Sequence, residues 1–173
     1  MSKGRSQFVG AAGQYYLAYA LAVRQFNASL TLGNAPSVDV LASSSDGKRT
    51  ISFQVKTSRN AYRGNRYGHE GYEWDVGASV IGKYHQSFWY AFIDLQENQG
   101  AWTPTVFFVP SRWVAEFVKP DWSRKMYFLP TSVDHLTSER WDLVEQFLSG
   151  EQSAIDWAND WPTDMLVQWG ADS

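Results

Sequence analysis

Apolar residues recur from Phe8 to Phe26 as a broad stripe of Phe8, Ala11, Ala12, Tyr15, Leu17, Ala18, Leu21, Ala22 and Phe26. That spacing predicts a helix over residues 6–25, with Ser6 able to cap its start and Asn27 ending it. Gly10 and Gly13 lie on this helix. A glycine costs about 1 kcal/mol in a helix interior, so a close packing contact is the expected reason for them. Ser29 to Leu32 reads as a short strand, and Gly33-Asn34-Ala35-Pro36 as a turn. The pattern then changes period. Val38 to Ala42 is a short, β-branched apolar run interrupted by Asp39. Thr50 to Lys56 alternates: Ile51, Phe53 and Val55 point one way, Ser52, Gln54 and Lys56 the other. Between the two, Ser43-Ser44-Ser45-Asp46-Gly47 carries turn chemistry, with Asp46-Gly47 a strong hairpin signal. The stretch therefore predicts a β-hairpin with Asp39 on one strand and Gln54 and Lys56 on one face of the other.

Residues 57–72 have no periodicity. Three arginines, three tyrosines and three glycines share the stretch, which reads as a long loop or a mobile hairpin. Glu73 to Val76 fits a strand. Ser87 to Leu95 is nearly continuous apolar sequence, the mark of a strand buried on both faces. Glu97-Asn98-Gln99-Gly100 turns the chain into another strand, Thr105 to Val109. Ser111 is placed to cap a helix over 112–119 with Trp113, Val114, Phe117 and Val118 inward, stopped by Pro120. Met126 to Leu129 fits a last strand. Ser138 to Leu148 reads as a helix closed by Gly150, and a helical turn is expected around Ala154–Ala158. The pattern as a whole predicts an α/β fold: a first helix, a mixed sheet of four to five strands with the hairpin central, and a helix on the other side. Residues 1–150 form the α/β body. Residues 151–173, with Trp157, Trp161 and Trp169 among acids, form an extension of the same domain.

Composition narrows the function classes. The 173 residues are 44% hydrophobic and 16% aromatic, enough for one domain with a sizeable core. No apolar run is long enough to cross a membrane as a helix. Met1 to Gln7 shows no secretory leader pattern. The absence of cysteine excludes disulfides and thiolate metal sites and suits a reducing cytoplasm. Net charge is only −3, but its distribution is uneven. Between Asp46 and His85 there are seven Lys/Arg and four acids; from Asp121 onward there are three bases and ten acids. A basic middle on an acidic body is compatible with a local phosphate-binding face.

Asp39, Gln54 and Lys56 are the leading candidates for chemistry. Phosphodiester hydrolysis needs a hard cation on oxygen ligands, an activated water, and positive charge near the scissile phosphate. Asp39 can supply the carboxylate, Gln54 an uncharged amide oxygen, and Lys56 the charge. The competing explanation is a structural Asp–Lys pair at the end of a hairpin. Pro36, Asp39 and Gln54-x-Lys56, with Gly10-Ala11-Ala12-Gly13-Gln14 on the first helix, resemble the signature of the PD-(D/E)XK nucleases, in the variant with Gln-x-Lys. That superfamily includes restriction and homing endonucleases. The resemblance covers residues 7–58 and implies a restriction-endonuclease-like αβββαβ core. It also implies Mg (or Mn) held by Asp39, Gln54 and the carbonyl of Val55, with Gln14 completing the catalytic set, and DNA as substrate. Its members often act as homodimers. Where the pattern usually has acids, this chain has Gln14 and Gln54, leaving Asp39 as the one carboxylate of the matched set.

Arg59, Arg63 and Arg66, interleaved with Tyr62 and Tyr67, suit phosphate pairing and base stacking. Lys83 is assigned to the same nucleic-acid-binding face. Gly77 to Tyr84 nearly spells a phosphate-binding loop, but Tyr84 replaces the Ser or Thr that would hold magnesium, and a strand follows instead of a helix. His69, His85 and His135 have no zinc-ligand spacing. No serine- or cysteine-nucleophile motif is present. Three functions remain: a metal-dependent DNA endonuclease, a nuclease-fold protein that has lost catalysis and binds DNA, and a protein-interaction or inhibitor subunit.

Overall fold

A computed structural model describes residues 3–31, 38–66 and 68–159. The first helix, α1 (Lys3–Val23), begins before Ser6, so Ser6 lies within its first turn instead of capping it. It ends before Asn27: Gln25 adopts a left-handed conformation (φ 66°), and its N–H closes the last turn on Ala22 O. Asn27 is instead the first residue of β1 (Asn27–Leu30). Leu32 and the expected turn at 33–36 lie outside the described residues. β2 (Val40–Ser43) and β3 (Thr50–Ser58) form the predicted hairpin, with Val40 opposite Phe53 and Ser43 opposite Thr50. The connection closes on Ser44, whose N–H donates to Arg49 O and whose carbonyl accepts from Gly47 N–H.

The aperiodic stretch after β3 is a hairpin, β4 (Tyr62–Arg66) and β5 (His69–Asp75), irregular between Arg63 and Arg66. It is followed by a 3-10 turn at Ala78–Val80 and by β6 (Phe88–Asn98), β7 (Ala101–Pro110), α2 (Ser111–Phe117) and β8 (Met126–Pro130). Two short helices, α3 (Trp141–Ser149) and α4 (Gln152–Asn159), complete the described chain. Gly150 ends α3 at φ 90°, a conformation only glycine adopts at little cost. Trp161 and Trp169 lie outside the described residues.

The main sheet is mixed and five-stranded, in the order β1-β2-β3-β6-β7, with β3 and β6 parallel. β3 is its central strand. The crossover from β3 to β6 contains the β4–β5 hairpin and the 3-10 turn, where an αβββαβ order would place a helix. A second, antiparallel sheet, β4-β5-β8, was not expected from sequence. It covers one face of the main sheet together with α2, and α1, α3 and α4 cover the other. β6 explains the arrangement: Trp89, Ala91 and Ile93 belong to the helical core, while Tyr90 and Phe92 belong to the core under the second sheet. A strand buried on both faces must read as continuous apolar sequence.

Ser111 has a different role from the expected cap. Its hydroxyl accepts from His85 N–H and donates to His85 O, both at 3.1 Å, tying the start of α2 to the loop before β6. In the second core, Tyr127 stacks on Phe92 with centroids 5.0 Å apart and planes 3° from parallel. Its hydroxyl is buried and has no hydrogen-bond partner among the described residues, and burial pushes its pKa up. Tyr127→Phe keeps the stacking and removes the orphaned group, so it should raise unfolding stability by about 1 kcal/mol. A loss of stability in urea unfolding would show that the hydroxyl is satisfied.

Candidate functional site

The site starts where β2 begins. The N–H of Asp39 donates to Phe53 O at 2.8 Å, and its carboxylate reaches two residues further along the same edge of β3. There Asp39 Oδ2 accepts the N–H of Val55 at 2.7 Å. The carboxylate thus occupies the place that a partner strand would hold. Ser52, offset by one, donates instead toward Ser87 before β6. Alternation therefore turns the peptide groups of Phe53 and Val55 to the Asp39 edge, the carbonyl of Val55 included.

α1 supplies the other half. Gln14 Nε2 donates to Asp39 Oδ1 at 3.0 Å. A carboxylate only accepts, so the amide must present its nitrogen there. The helix can bring Gln14 this close because Gly13 lies directly against Thr57 of β3. A Cβ at residue 13 would overlap Thr57 Oγ1, whereas one at Gly10 would meet nothing. The expected close contact is therefore made by Gly13 alone. Gly13→Ala should destabilise the fold by about 2 kcal/mol net, because a Cβ overlapping Thr57 Oγ1 puts overpacking at the upper end of its range of about 1–3 kcal/mol and helix propensity returns only about 1 kcal/mol. Thr57→Ala in the same chain should recover most of the loss. Equal stability of Gly13→Ala and the wild type by denaturant unfolding would show that α1 does not dock this closely.

Gln14, Asp39 and Val55 are thus joined by hydrogen bonds, with Gln54 and Lys56 flanking Val55 on β3. All the oxygens these residues offer are hard donors: one carboxylate, two side-chain amides and the Val55 carbonyl. Each Asp39 oxygen keeps a lone pair after its hydrogen bond. The donor chemistry fits a magnesium-like ion, with a single formal charge to hold it. Glu73 and Asp75 do not add to that charge, since both are engaged by arginines. Among the described residues, no group of three or more His, Asp or Glu side chains is arranged to hold a metal.

Lys56 opens into a cleft of about 430 Å³ at the end of β3, bounded by Ser6 and Val9 of α1, by β5, and by Arg124. Four cations (Lys56, Arg59, Arg63, Arg124) and two carboxylates (Glu73, Asp75) line it. The Lys56 side chain makes no hydrogen bond or ion pair with the other described residues. The arginines are differently placed. Arg59 pairs with Glu97 at 3.2 Å and lies over the Trp102 ring at 4.5 Å. Arg63 and Arg66 converge on the buried Glu73 at 3.4 and 3.1 Å. Tyr62 packs its ring edgewise on Tyr72. Partial burial, then a bond to Glu70, pushes the Tyr62 hydroxyl above its ordinary pKa. Tyr67 lies outside the described residues.

Lys83 is not brought to this cleft. It precedes β6, whose Phe88 pairs with Ser52 at the opposite end of β3 from Lys56 and Ser58. The four positions from Ser52 to Lys56 alone span about 13 Å. Lys83 is exposed at the end where Ser111 binds His85.

Sequence reasoning missed the roles of three supporting residues. Glu73 gathers the two hairpin arginines. Arg124 comes from the segment before β8 and pairs with Asp75 at 3.6 Å. Asp94 is fully buried. It accepts the N–H of Ala61 at 2.9 Å and a Gln96 amide hydrogen bond at 2.6 Å, pinning the link between β3 and β4. A lone acid within an otherwise apolar strand was the available signal for Asp94.

No protein-family model matches the chain, and no curated protein matches it. Among solved structures, the chain is similar in fold to a bacterial homing endonuclease, I-Ssp6803I. That likeness has a TM-score of 0.53 and 12% sequence identity, and it covers 86% of this chain and 96% of the other.

Proposed function

We propose that the protein is a metal-dependent DNA endonuclease of PD-(D/E)XK type. The observation that carries this is the junction at β3. Gln14 and the Val55 N–H fix the Asp39 carboxylate, and the next residue, Lys56, enters a cleft with more cations than carboxylates. A structural Asp–Lys pair would explain these residues only if the two were joined, and Lys56 is not paired with Asp39. The fold shared with a homing endonuclease supports the same reading.

Asp39, the Gln54 amide and the Val55 carbonyl would hold magnesium or manganese, which supplies Lewis-acid stabilisation of a phosphoryl oxygen and a more acidic water. Gln14 keeps Asp39 in place. Lys56 stabilises charge developing on the phosphate. Arg59, Arg63 and Arg124 carry the flanking phosphates along the cleft, and a second copy would serve the second strand. A second reading, a silenced nuclease fold that binds DNA, is favoured by the amides at Gln14 and Gln54, where the family pattern usually has acids.

Both readings require the cleft to bind DNA. Arg63→Ala with Arg66→Ala should weaken duplex binding and flatten the dependence of log K on log salt by roughly 1–2. The decrease should lie toward the lower value, because Glu73 already neutralises part of the charge that the pair presents. An unchanged slope in a salt titration would remove the β4–β5 hairpin from the interface.

A further inference from the structure

The helical stripe predicted for α1 is only half used. Its inward face buries Leu17, Ala20 and Leu21. Its outward face exposes Phe8 (80%), Tyr15 (65%), Tyr19 (66%) and Val23 (62%), with Ala12 exposed among them. The spacing is four, three, four and four, so these residues form one line along a helix about 30 Å long. No charged residue occurs from Ser6 to Val23. At the Phe8 end the line continues into a recess of about 320 Å³ walled by Leu95, Trp102 and the Arg59 that lies over the Trp102 ring.

We propose that this face is the contact between two copies of the chain, packed α1 against α1 in antiparallel fashion about a two-fold axis passing between Tyr15 and Tyr16. The proposal does not depend on the nuclease reading. Antiparallel packing about that midpoint sets Phe8 opposite Val23 of the second copy and Ala12 opposite its Tyr19. Phe8 and Tyr19 thus each meet a smaller residue, only Tyr15 meets its own counterpart beside the axis, and the same patch serves both copies, as two-fold symmetry requires. A parallel arrangement would set Phe8 and Tyr19 as well against their own counterparts and leave a gap at Ala12. Antiparallel helices also oppose their dipoles favourably.

The area is adequate. A buried aromatic side chain contributes about 150–250 Å², so the exposed parts of Phe8, Tyr15 and Tyr19 offer roughly 300–500 Å² per copy. Val23, Ala12 and Trp102, itself 46% exposed, bring the face to roughly 600–700 Å², close to the about 800 Å² per partner of a stable complex. Other partners fit the face less well. A phosphate backbone needs cations, and α1 offers none from Ser6 to Val23, while Arg59 in the adjoining recess is paired with Glu97. A helix lying on a membrane surface carries Lys or Arg on its flanks. Among the described residues, no helix is long and apolar enough to cross a membrane.

Sedimentation equilibrium on the full chain at about 1–100 µM tests the proposal. The expected species is a dimer, with twice the 19.7 kDa mass of the chain. Tyr15→Glu with Tyr19→Glu should weaken it about 30-fold or more, with the far-UV spectrum unchanged because both side chains are mostly exposed. Ala12→Glu and Tyr19→Lys should each dissociate the dimer, and the two together should restore it. Positions 12 and 19 meet only across the axis and are two turns apart on one helix. A monomer throughout this range would overturn the proposal, whether residues 160–173 or a lipid vesicle then proved to cover α1. So would a dimer indifferent to these changes, or a double variant that stays dissociated.

Discussion

Asp39→Asn is expected to bring DNA cleavage to background and to remove magnesium-dependent binding of the metal, while leaving the fold near wild-type stability. The asparagine oxygen can still accept the Val55 N–H that Asp39 accepts at 2.7 Å, and the Gln14 amide can turn to offer its oxygen to the new NH₂ group. Only the charge is lost. The donor set has a single formal charge, so its removal leaves two amides and a carbonyl to hold a hard divalent ion, which is too little. Asp39→Ala should differ in a diagnostic way. It too should end cleavage, but it also strands the Val55 N–H, at a cost of about 1–3 kcal/mol. Calorimetric titration with manganese and urea unfolding separate the two effects. If Asp39→Asn cuts DNA as the wild type does, the carboxylate serves only to end β2.

Lys56→Ala should lower the cleavage rate by on the order of 10²–10³, the size expected from losing one charged contact to the transition state. Its melting temperature should barely change, because the Lys56 side chain has no polar partner among the described residues and lines the cleft instead of the core. DNA affinity should fall far less, since three arginines of the cleft remain. Single-turnover cleavage and a binding isotherm measured on the same preparation separate rate from affinity. A variant that binds poorly but cuts at the wild-type rate when saturated would make Lys56 a binding residue.

What was legible in the sequence was local. The alternation of Thr50–Lys56, the Asp46-Gly47 turn and the break at Asp39 specify the hairpin, because strand period and turn chemistry are written in neighbouring residues. The placement of Gln14 against Asp39 was also legible, through the order and spacing of the motif. The second sheet was not. Tyr72 and Trp74 of β5 pair with Leu129 and Tyr127 of β8, more than fifty residues away, and nothing in the composition of residues 57–72 announces that pairing. The arginines illustrate the same limit. Arg63 and Arg66 looked free in a polar stretch, yet a register that only the fold sets brings both to Glu73. Lys83 was grouped with them by closeness in sequence, and the parallel pairing of β3 with β6 carries it to the other end of the sheet. The broad stripe on α1 gave no division into a buried and an exposed side. The helix is apolar nearly all round, so its periodicity could not say which side the sheet would take.

The most direct test is cleavage of duplex DNA by the purified protein with magnesium or manganese, against a chelator control, with Lys56→Ala and with Gln14→Glu plus Gln54→Glu alongside. The account predicts metal-dependent cutting by the wild type that Lys56→Ala largely abolishes, and tighter metal dependence when the two acids are introduced. Cutting only by the Gln14→Glu, Gln54→Glu protein would identify a silenced nuclease. Equal cutting by wild type and Lys56→Ala, or none by any of the three, would contradict the assignment of a nuclease site to Asp39, Gln54 and Lys56.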